Sequence, residues 1–198
     1  MCSERVSVVH LASASPRRRE LLEQIGVPVQ RVQCSVDERP CPDEAPADYV
    51  QRVTRDKVRA GVAIAPAGAV VLAADTAVVL NDAILGKPVD QQHAQAMLRS
   101  LSGRQHQVLT AVAVACGSDI RLQLVATKVR FRPLSDAEIL AYWQTGEPAD
   151  KAGAYGIPGL GAVFVEHIEG SYSAVVGLPL AETALLLAEF AVPCWQLR

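Results

Sequence analysis

The hydrophobic pattern of this chain alternates between strand-like and helix-like segments, and this alternation limits the possible folds more than any other feature. The strands that it predicts are residues 6–12, 27–34, 70–74, 77–80 with 84–85, 105–116, 121–131, 164–168 and 174–176. The helices that it predicts are residues 16–25, 45–62, 91–101 and 135–144, with a last helix starting near residue 179. Tight turns join some of these strands, as predicted at Asn81-Asp82, and helices separate others. Ser135 and Glu138 predict a capping box at the start of the helix 135–144. We therefore expect an α/β fold whose sheet has mixed rather than purely parallel pairing.

Length, charge and cysteine content narrow the class of protein. The 198 residues fit one domain, or two small lobes that share a core, and we predict a single domain over residues 1–198. A net charge of −2 and an aromatic content of 5% argue against a stable nucleic-acid partner. The five cysteines are scattered without a CxxC pair, and no apolar run reaches about 18 residues. These features predict a soluble cytoplasmic protein without a membrane partner.

An arginine-rich helix start follows the first predicted strand. Ser15 has the chemistry of a helix N-cap and Pro16 suits the first helical position, so Arg17, Arg18 and Arg19 fall in the first turn. Cations are unfavourable there, because the macrodipole already makes that end of a helix positive. The pattern indicates either a phosphate-binding turn, to which Ser13 and Ser15 could also donate, or a solvated basic turn.

Three further charged residues lie where a structural role explains them poorly. Lys57 falls on the apolar face of the predicted helix 45–62, so it must either extend to solvent or meet an anion. Asp75 ends the apolar run 70–74 and is expected at the carboxyl end of a strand, where it could cap a turn, bind a metal or accept a proton from water. Lys87 lies between Gly86 and Pro88 in a shaped loop. Together with the Gly/Pro-rich segment 145–161, these residues favour a phosphate ester site with a divalent cation.

An ordered series of motifs resembles the Maf family of nucleotide pyrophosphatases, from about residue 8 to residue 190. The matching segments are Ser13-Ala-Ser-Pro-Arg-Arg18, Val36-Asp-Glu38, Lys57, Ala74-Asp-Thr76, Leu85-Gly-Lys-Pro88, Leu101-Ser-Gly103, Asp150-Lys-Ala-Gly-Ala-Tyr-Gly156, Gly170-Ser-Tyr172 and Val176-Gly-Leu-Pro179. The resemblance implies a mixed-sheet Maf/ITPase-like fold with a cleft between two lobes. It also implies hydrolysis of the α–β phosphoanhydride bond of a nucleoside triphosphate, which clears noncanonical nucleotides from the pool.

The resemblance assigns roles to individual residues. Asp75 would be the general base. Glu38, Asp75 and Asp150 would contact Mg²⁺ or Mn²⁺, and the alternative for Glu38 in its acidic loop is a solvated surface residue. The residues implied to bind substrate and phosphate are Ser13, Ser15, Arg17, Arg18, Lys57, Thr76 and Lys87.

Base specificity is the point where this chain departs from the family pattern. Arg17, Thr76 and Tyr155-Gly156 resemble the branch of the family that acts on dTTP and UTP. That branch usually has glutamine two residues after Gly156, where this chain has Pro158. A glutamine side chain can donate to and accept from a base edge, whereas a proline side chain can do neither. Pro158 is therefore expected to influence which base is preferred.

Other functions stay open at this stage. A nucleotide-binding regulator of cell division or septum formation would need the cationic residues but not Asp75. A phosphatase that releases orthophosphate could use the same pocket. The apolar edge strands would also suit a homodimer.

Overall fold

The computed structural model describes residues 7–196 as an α/β protein. The strands are β1 (Val9–Leu11), β2 (Val29–Arg31), β3 (Val71–Leu80), β4 (Ala83–Leu85), β5 (Gln105–Cys116), β6 (Asp119–Phe131) and β7 (Val165–Glu169). The α-helices are α1 (Pro16–Gln24), α2 (Pro46–Ile64), α3 (Gln91–Leu101), α4 (Asp136–Gln144), α5 (Tyr172–Val176) and α6 (Leu180–Glu189). Short 3₁₀ helices cover Glu147–Asp150, Ala152–Ala154 and Leu160–Phe164.

The sheet has the mixed pairing that the sequence predicts. Its strand order is β2-β1-β3-β5-β6-β7, with β4 paired to β3. β1 is parallel to both β2 and β3, and a helix lies between each of these pairs along the chain. β4 is antiparallel to β3 across the turn at Asn81 and Asp82, whose positive φ angles of 50° and 62° suit a two-residue hairpin. β7 is antiparallel to β6.

Two sequence-based expectations about local structure are wrong. The segments 70–74 and 77–80 form one continuous strand, β3, so Asp75 lies in the middle of a strand and not at its carboxyl end. The strand continues because its first residues pair with β1 and its last residues pair with β4. Residues 174–176, predicted as a strand, belong to helix α5, where the Ser171 hydroxyl accepts a hydrogen bond from the Ala174 amide at 3.2 Å. A short apolar run does not by itself distinguish a strand from a buried helix.

The chain divides into two compact units. The first unit comprises residues 1–75, 110–124 and 177–198, and the second comprises residues 76–109 and 125–176. The first has a core of small side chains, in which Val58 of α2 packs with residues of β3 and β5. The second has an aromatic core in which the rings of Phe131, Tyr142, Tyr155 and Phe164 contact one another. The single domain expected from the sequence stays a prediction.

Helix α2 approaches the sheet closely because Gly61 has no side chain. A Cβ atom at Gly61 would lie 2.8 Å from Ala12 Cβ and 2.8 Å from Val71 Cγ1. Lys57 lies one helical turn before Gly61, so this contact brings it close to β3 as well. Within residues 7–196, no helix is long and apolar enough to cross a membrane.

Candidate active site

An ion cluster in the first unit joins three of the residues singled out in the sequence. Lys57 Nζ lies 2.8 Å from Asp75 Oδ1 and 3.0 Å from Glu38 Oε1. The Lys57 and Asp75 side chains are 12% and 10% exposed, whereas the Glu38 side chain is 56% exposed. Lys57 therefore meets anions rather than extending to solvent, and one ammonium group connects a buried carboxylate with an accessible one.

The packing of α2 explains why a lysine occupies this position. Val50, Val53 and Gly61 are buried along the same face of α2. Lys57 lies on that face, where its aliphatic stem is covered and its ammonium group reaches β3. The apolar stripe predicted from the sequence is thus correct, and its one cation is neutralised by Asp75 from the neighbouring strand.

The amino end of α1 carries the arginines where the sequence places them. Ser15 occupies the N-cap position and Pro16 begins the helix, but the Ser15 side chain forms no capping hydrogen bond. Ser13 instead organises this turn, because its hydroxyl accepts from the Ser15 amide at 3.2 Å and from Arg18 Nη1 at 3.1 Å. Arg17 is half-buried, and Arg19 is exposed and paired with Glu23.

Arg18 is a buried cation that links the arginine-rich turn to a second segment of the first unit. Its Nε donates to the Gly177 carbonyl at 2.8 Å, and only 9% of the residue is exposed. Burial lowers the pKa of Arg18, while the negative charges of Asp75 and Glu38 oppose that shift. Arg18 therefore lies within the electrostatic field of the ion cluster. The hydrogen bond to Gly177 joins the arginine motif to the motif around that residue.

The second unit contains the other predicted site residues. Thr76 follows Asp75 in β3 and is half-buried, while Lys87 and Pro158 are exposed. The Gly153 amide donates to the Gly86 carbonyl at 3.0 Å, so the 150–156 segment is tied to the loop that presents Lys87. Gly153 has a φ of 67° and lies against Val78, which leaves no room for a side chain. The Asp150 carboxylate contacts the ammonium group of Lys151.

Two side-chain contacts that the sequence does not indicate hold the segment around Pro158. Buried His106 lies with Nε2 2.7 Å from the Tyr155 hydroxyl. The Glu147 carboxylate accepts from the Tyr142 hydroxyl at 2.7 Å and from the Leu160 and Gly161 amides at 2.8 and 3.0 Å. Burial raises the pKa of Glu147, whereas these hydrogen bonds lower it. The net shift is downward. Pro158 therefore lies in a segment that is anchored on both sides.

The carboxylates of Glu38 and Asp75 could bind a divalent cation only together with a further ligand. Within residues 7–196, no three His, Cys, Asp or Glu side chains are grouped so that they could hold a metal ion by themselves. Glu38 and Asp75 nevertheless provide two carboxylates around one ammonium group. Mg²⁺ is commonly held by one or two carboxylates together with water and substrate phosphates. The pair fits a cation that is bound with a phosphate ester better than it fits a preformed metal centre.

Comparison with known proteins gives a consistent result over nearly the whole chain. A family model described as Maf-like protein matches residues 8–190. The dTTP/UTP pyrophosphatase of Saccharophagus degradans is 54% identical over 191 residues, covering 95% of this chain and 91% of that protein. The dTTP/UTP pyrophosphatase of Vibrio cholerae is 54% identical over 185 residues, covering 93% of this chain and 99% of that protein. Among solved structures, the Ham1 protein of Staphylococcus aureus is 12% identical with a TM-score of 0.47, covering 63% of this chain and 72% of that one.

Proposed function

This chain belongs to the family of Maf-like proteins, and on that premise we propose that it is a nucleoside triphosphate pyrophosphatase. It hydrolyses the α–β phosphoanhydride bond of dTTP and UTP, or of modified pyrimidine nucleotides, and produces a nucleoside monophosphate and pyrophosphate. The observation that carries the proposal is the ion pair between Lys57 and Asp75, a buried cation and carboxylate held 2.8 Å apart beside an arginine-rich turn. The names of the two relatives support the reaction and the substrates.

Asp75 is the general base of the proposed reaction. Its carboxylate accepts a proton from the water that attacks the α-phosphorus in line with the leaving pyrophosphate. The Lys57 ammonium fixes Asp75 Oδ1, so the carboxylate has one orientation before the substrate arrives. The base is thus held by a side chain of helix α2.

The basic residues neutralise the triphosphate. Arg17 and Arg18 at the start of α1 bind phosphate oxygens and stabilise the charge that develops on the leaving pyrophosphate. Ser13 and Ser15 add hydroxyl donors to this turn, and Lys87 adds a further cation. Arg18 also has a structural contact with Gly177, so its removal would affect folding as well as binding.

We propose that a divalent cation, Mg²⁺ or Mn²⁺, accompanies the nucleotide. Glu38 and Asp75 would hold it, and the third ligand expected from the sequence, Asp150, stays a prediction. When bound, such an ion polarises phosphoryl oxygens and lowers the pKa of a coordinated water. The cytoplasmic location and the homodimer also stay predictions of the sequence.

Arg17, Thr76 and Pro158 are the proposed specificity residues. Pro158 is exposed in the anchored segment of the second unit, and it offers no side-chain hydrogen bond to a base edge. We therefore expect a weaker preference for pyrimidines here than in chains that have glutamine at this position.

The decisive experiment measures pyrophosphate and orthophosphate separately. The purified protein is incubated with Mg²⁺ or Mn²⁺ and with dTTP, UTP, CTP, GTP, ATP or 7-methyl-GTP. We expect pyrophosphate from dTTP and UTP, and loss of that product in Asp75→Asn. Asp82→Asn is the matched control, because it makes the same chemical change at an exposed turn residue.

Each of the other outcomes would contradict part of the proposal. Orthophosphate as the product would indicate a different phosphatase. Nucleotide binding without turnover in the natural protein would favour the regulator of cell division. Full activity of Asp75→Asn would remove Asp75 as the base.

A further inference from the structure

We propose that Arg52 and Tyr49 of α2 are positioning residues, which hold the acidic loop so that Glu38 meets Lys57. The acidic loop is defined here as residues 36–45, between β2 and α2. The inference rests on the proposed function, because it concerns the geometry of a carboxylate that the function uses. Neither residue is part of the motifs that resemble the family, and within residues 7–196 neither forms an ion pair or a hydrogen bond with Asp75.

The contact between Glu38 and Lys57 needs support from elsewhere. Glu38 lies in a segment without helix or strand structure, and its side chain is 56% exposed. A partly exposed ion pair contributes little to stability, because water and salt screen it. That contribution is too small to order ten residues of loop, because each residue loses backbone conformational entropy when it is fixed.

Arg52 provides this support through a bidentate contact with the Glu44 carboxylate. Its Nε lies 2.6 Å from Glu44 Oε1, and its Nη2 lies 2.7 Å from Glu44 Oε2 and 3.1 Å from the Arg39 carbonyl. Glu44 Oε2 also accepts from the Cys41 amide at 2.9 Å. One guanidinium group therefore holds the loop at a side chain and at the backbone, on the carboxyl side of Glu38.

Glu44 and Arg52 are screened from water better than Glu38 is. The Glu44 side chain is 10% exposed and the Arg52 side chain is 30% exposed. Hydrogen bonds from Arg52, followed by the one from the Cys41 amide, lower the pKa of Glu44 to about 2. The carboxylate thus stays charged throughout the neutral pH range, and a bidentate contact fixes its plane.

Tyr49 holds the loop at Glu38 itself. Its hydroxyl donates to the Glu38 carbonyl at 3.0 Å, and the Arg52 guanidinium lies over its ring, 5.7 Å from the centroid. Burial, followed by the nearby charges of Asp75 and Glu38, raises the pKa of Tyr49 to about 12. The hydroxyl therefore remains protonated and available as a donor.

Lys57 and the two residues that hold the acidic loop lie on the same helix. Tyr49, Arg52 and Lys57 all belong to α2, within little more than two helical turns. A shift of the acidic loop would move Glu38 but leave Lys57 and Asp75 in place. An error of about 1 Å in the position of a catalytic group can cost about 100-fold in rate.

The test is a double-mutant cycle between Arg52 and Glu38. We expect Glu38→Gln to lower kcat/KM for dTTP by about 100-fold and Arg52→Gln to lower it by about 10-fold. The double variant should match Glu38→Gln alone within about twofold, because Arg52 would act only through Glu38. Arg52→Lys keeps the charge but loses the bidentate contact, and should retain more activity than Arg52→Gln. Tyr49→Phe, which deletes one hydroxyl, should also lower kcat/KM for dTTP.

Hydrogen–deuterium exchange tests the loop without requiring turnover. We expect Arg52→Gln to raise deuterium uptake in residues 36–45 while the strands of the first unit remain protected. Arg121→Gln is the matched control, since Arg121 also pairs with two acidic residues of the first unit, Asp119 and Glu189, but does not contact the loop. It should change neither exchange in the loop nor kcat/KM.

The outcomes separate this inference from the proposed function. Absence of pyrophosphate release by the natural protein would overturn the function, while exchange would still show whether Arg52 holds the loop. Unchanged exchange in Arg52→Gln would overturn the inference. So would additive losses in the cycle, near 1,000-fold for the double variant, or an active natural protein in which Glu38→Gln has no effect.

Discussion

The pH dependence of stability should carry a distinct contribution from His106. This residue of β5 is 3% exposed, and its ring makes edge contacts with the rings of Phe131 and Tyr155. Its Nε2 lies 2.7 Å from the Tyr155 hydroxyl, and its buried Nδ1 has no hydrogen-bond partner among the described residues. Burial lowers the pKa of His106 from 6.5 to about 4, because the imidazolium form would lose its hydration.

The lowered pKa of His106 makes the free energy of unfolding depend on pH. Between pH 6.5 and about 4 the unfolded chain binds a proton at His106 that the folded chain does not bind. The contribution of His106 to stability is therefore complete above pH 6.5, is lost as the pH falls toward 4, and changes little below that value. At about 1.4 kcal/mol per unit of pKa, the loss is about 3 kcal/mol.

The measurement compares urea unfolding of the natural protein and His106→Gln at intervals from pH 7 to pH 4. Glutamine cannot titrate, so the variant should lose about 3 kcal/mol less than the natural protein over this range. Acidic residues contribute equally to both proteins and cancel in the difference. His167→Gln, which changes an exposed histidine, is the control and should behave like the natural protein. Parallel pH profiles for the natural protein and His106→Gln would refute the reasoning.

Three further predictions concern the site. Asp75→Asn should lower kcat by about 1,000-fold with the fold retained, and a steady-state assay accompanied by circular dichroism would check both statements. Lys57→Met should reduce the free energy of unfolding by about 3 kcal/mol, because it leaves the buried Asp75 carboxylate without its cation. Adding Asp75→Asn to Lys57→Met should restore part of that loss in urea unfolding, and failure to do so would contradict the pairing argument. Pro158→Gln should raise the kcat/KM ratio of dTTP to GTP by about tenfold, and an unchanged ratio would show that the base is recognised elsewhere.

Local signals in the sequence were sufficient where neighbouring residues decide the structure. Ser135 and Glu138 predict a capping box, and both of its hydrogen bonds are present at the start of α4. Asn81 and Asp82 predict a hairpin turn, and both have the positive φ angles that such a turn requires. These predictions succeed because the interacting groups are at most three residues apart.

Predictions that depended on distant partners were less complete. The end of a strand was expected at Asp75, but pairing with β1 and β4 extends β3 through it. The sequence does not identify the anion that Lys57 meets, because Glu38 and Asp75 lie 19 and 18 residues away along the chain. Nothing in the sequence indicates the contacts made by Arg52, Tyr49, Glu147 and His106, since a charged or aromatic residue on a helix or strand has many ordinary explanations.

The sequence by itself determined the α/β class, the mixed sheet, the arginine-rich start of α1 and the family, because these depend on local patterns and on an ordered series of motifs. Only the tertiary structure decided that Lys57 joins Asp75 to Glu38, that Arg18 is tied to Gly177, and that α2 holds the acidic loop. The physical reason is that ion pairs and hydrogen bonds form between groups brought within about 3 Å by packing. Composition and spacing along the chain do not specify that packing.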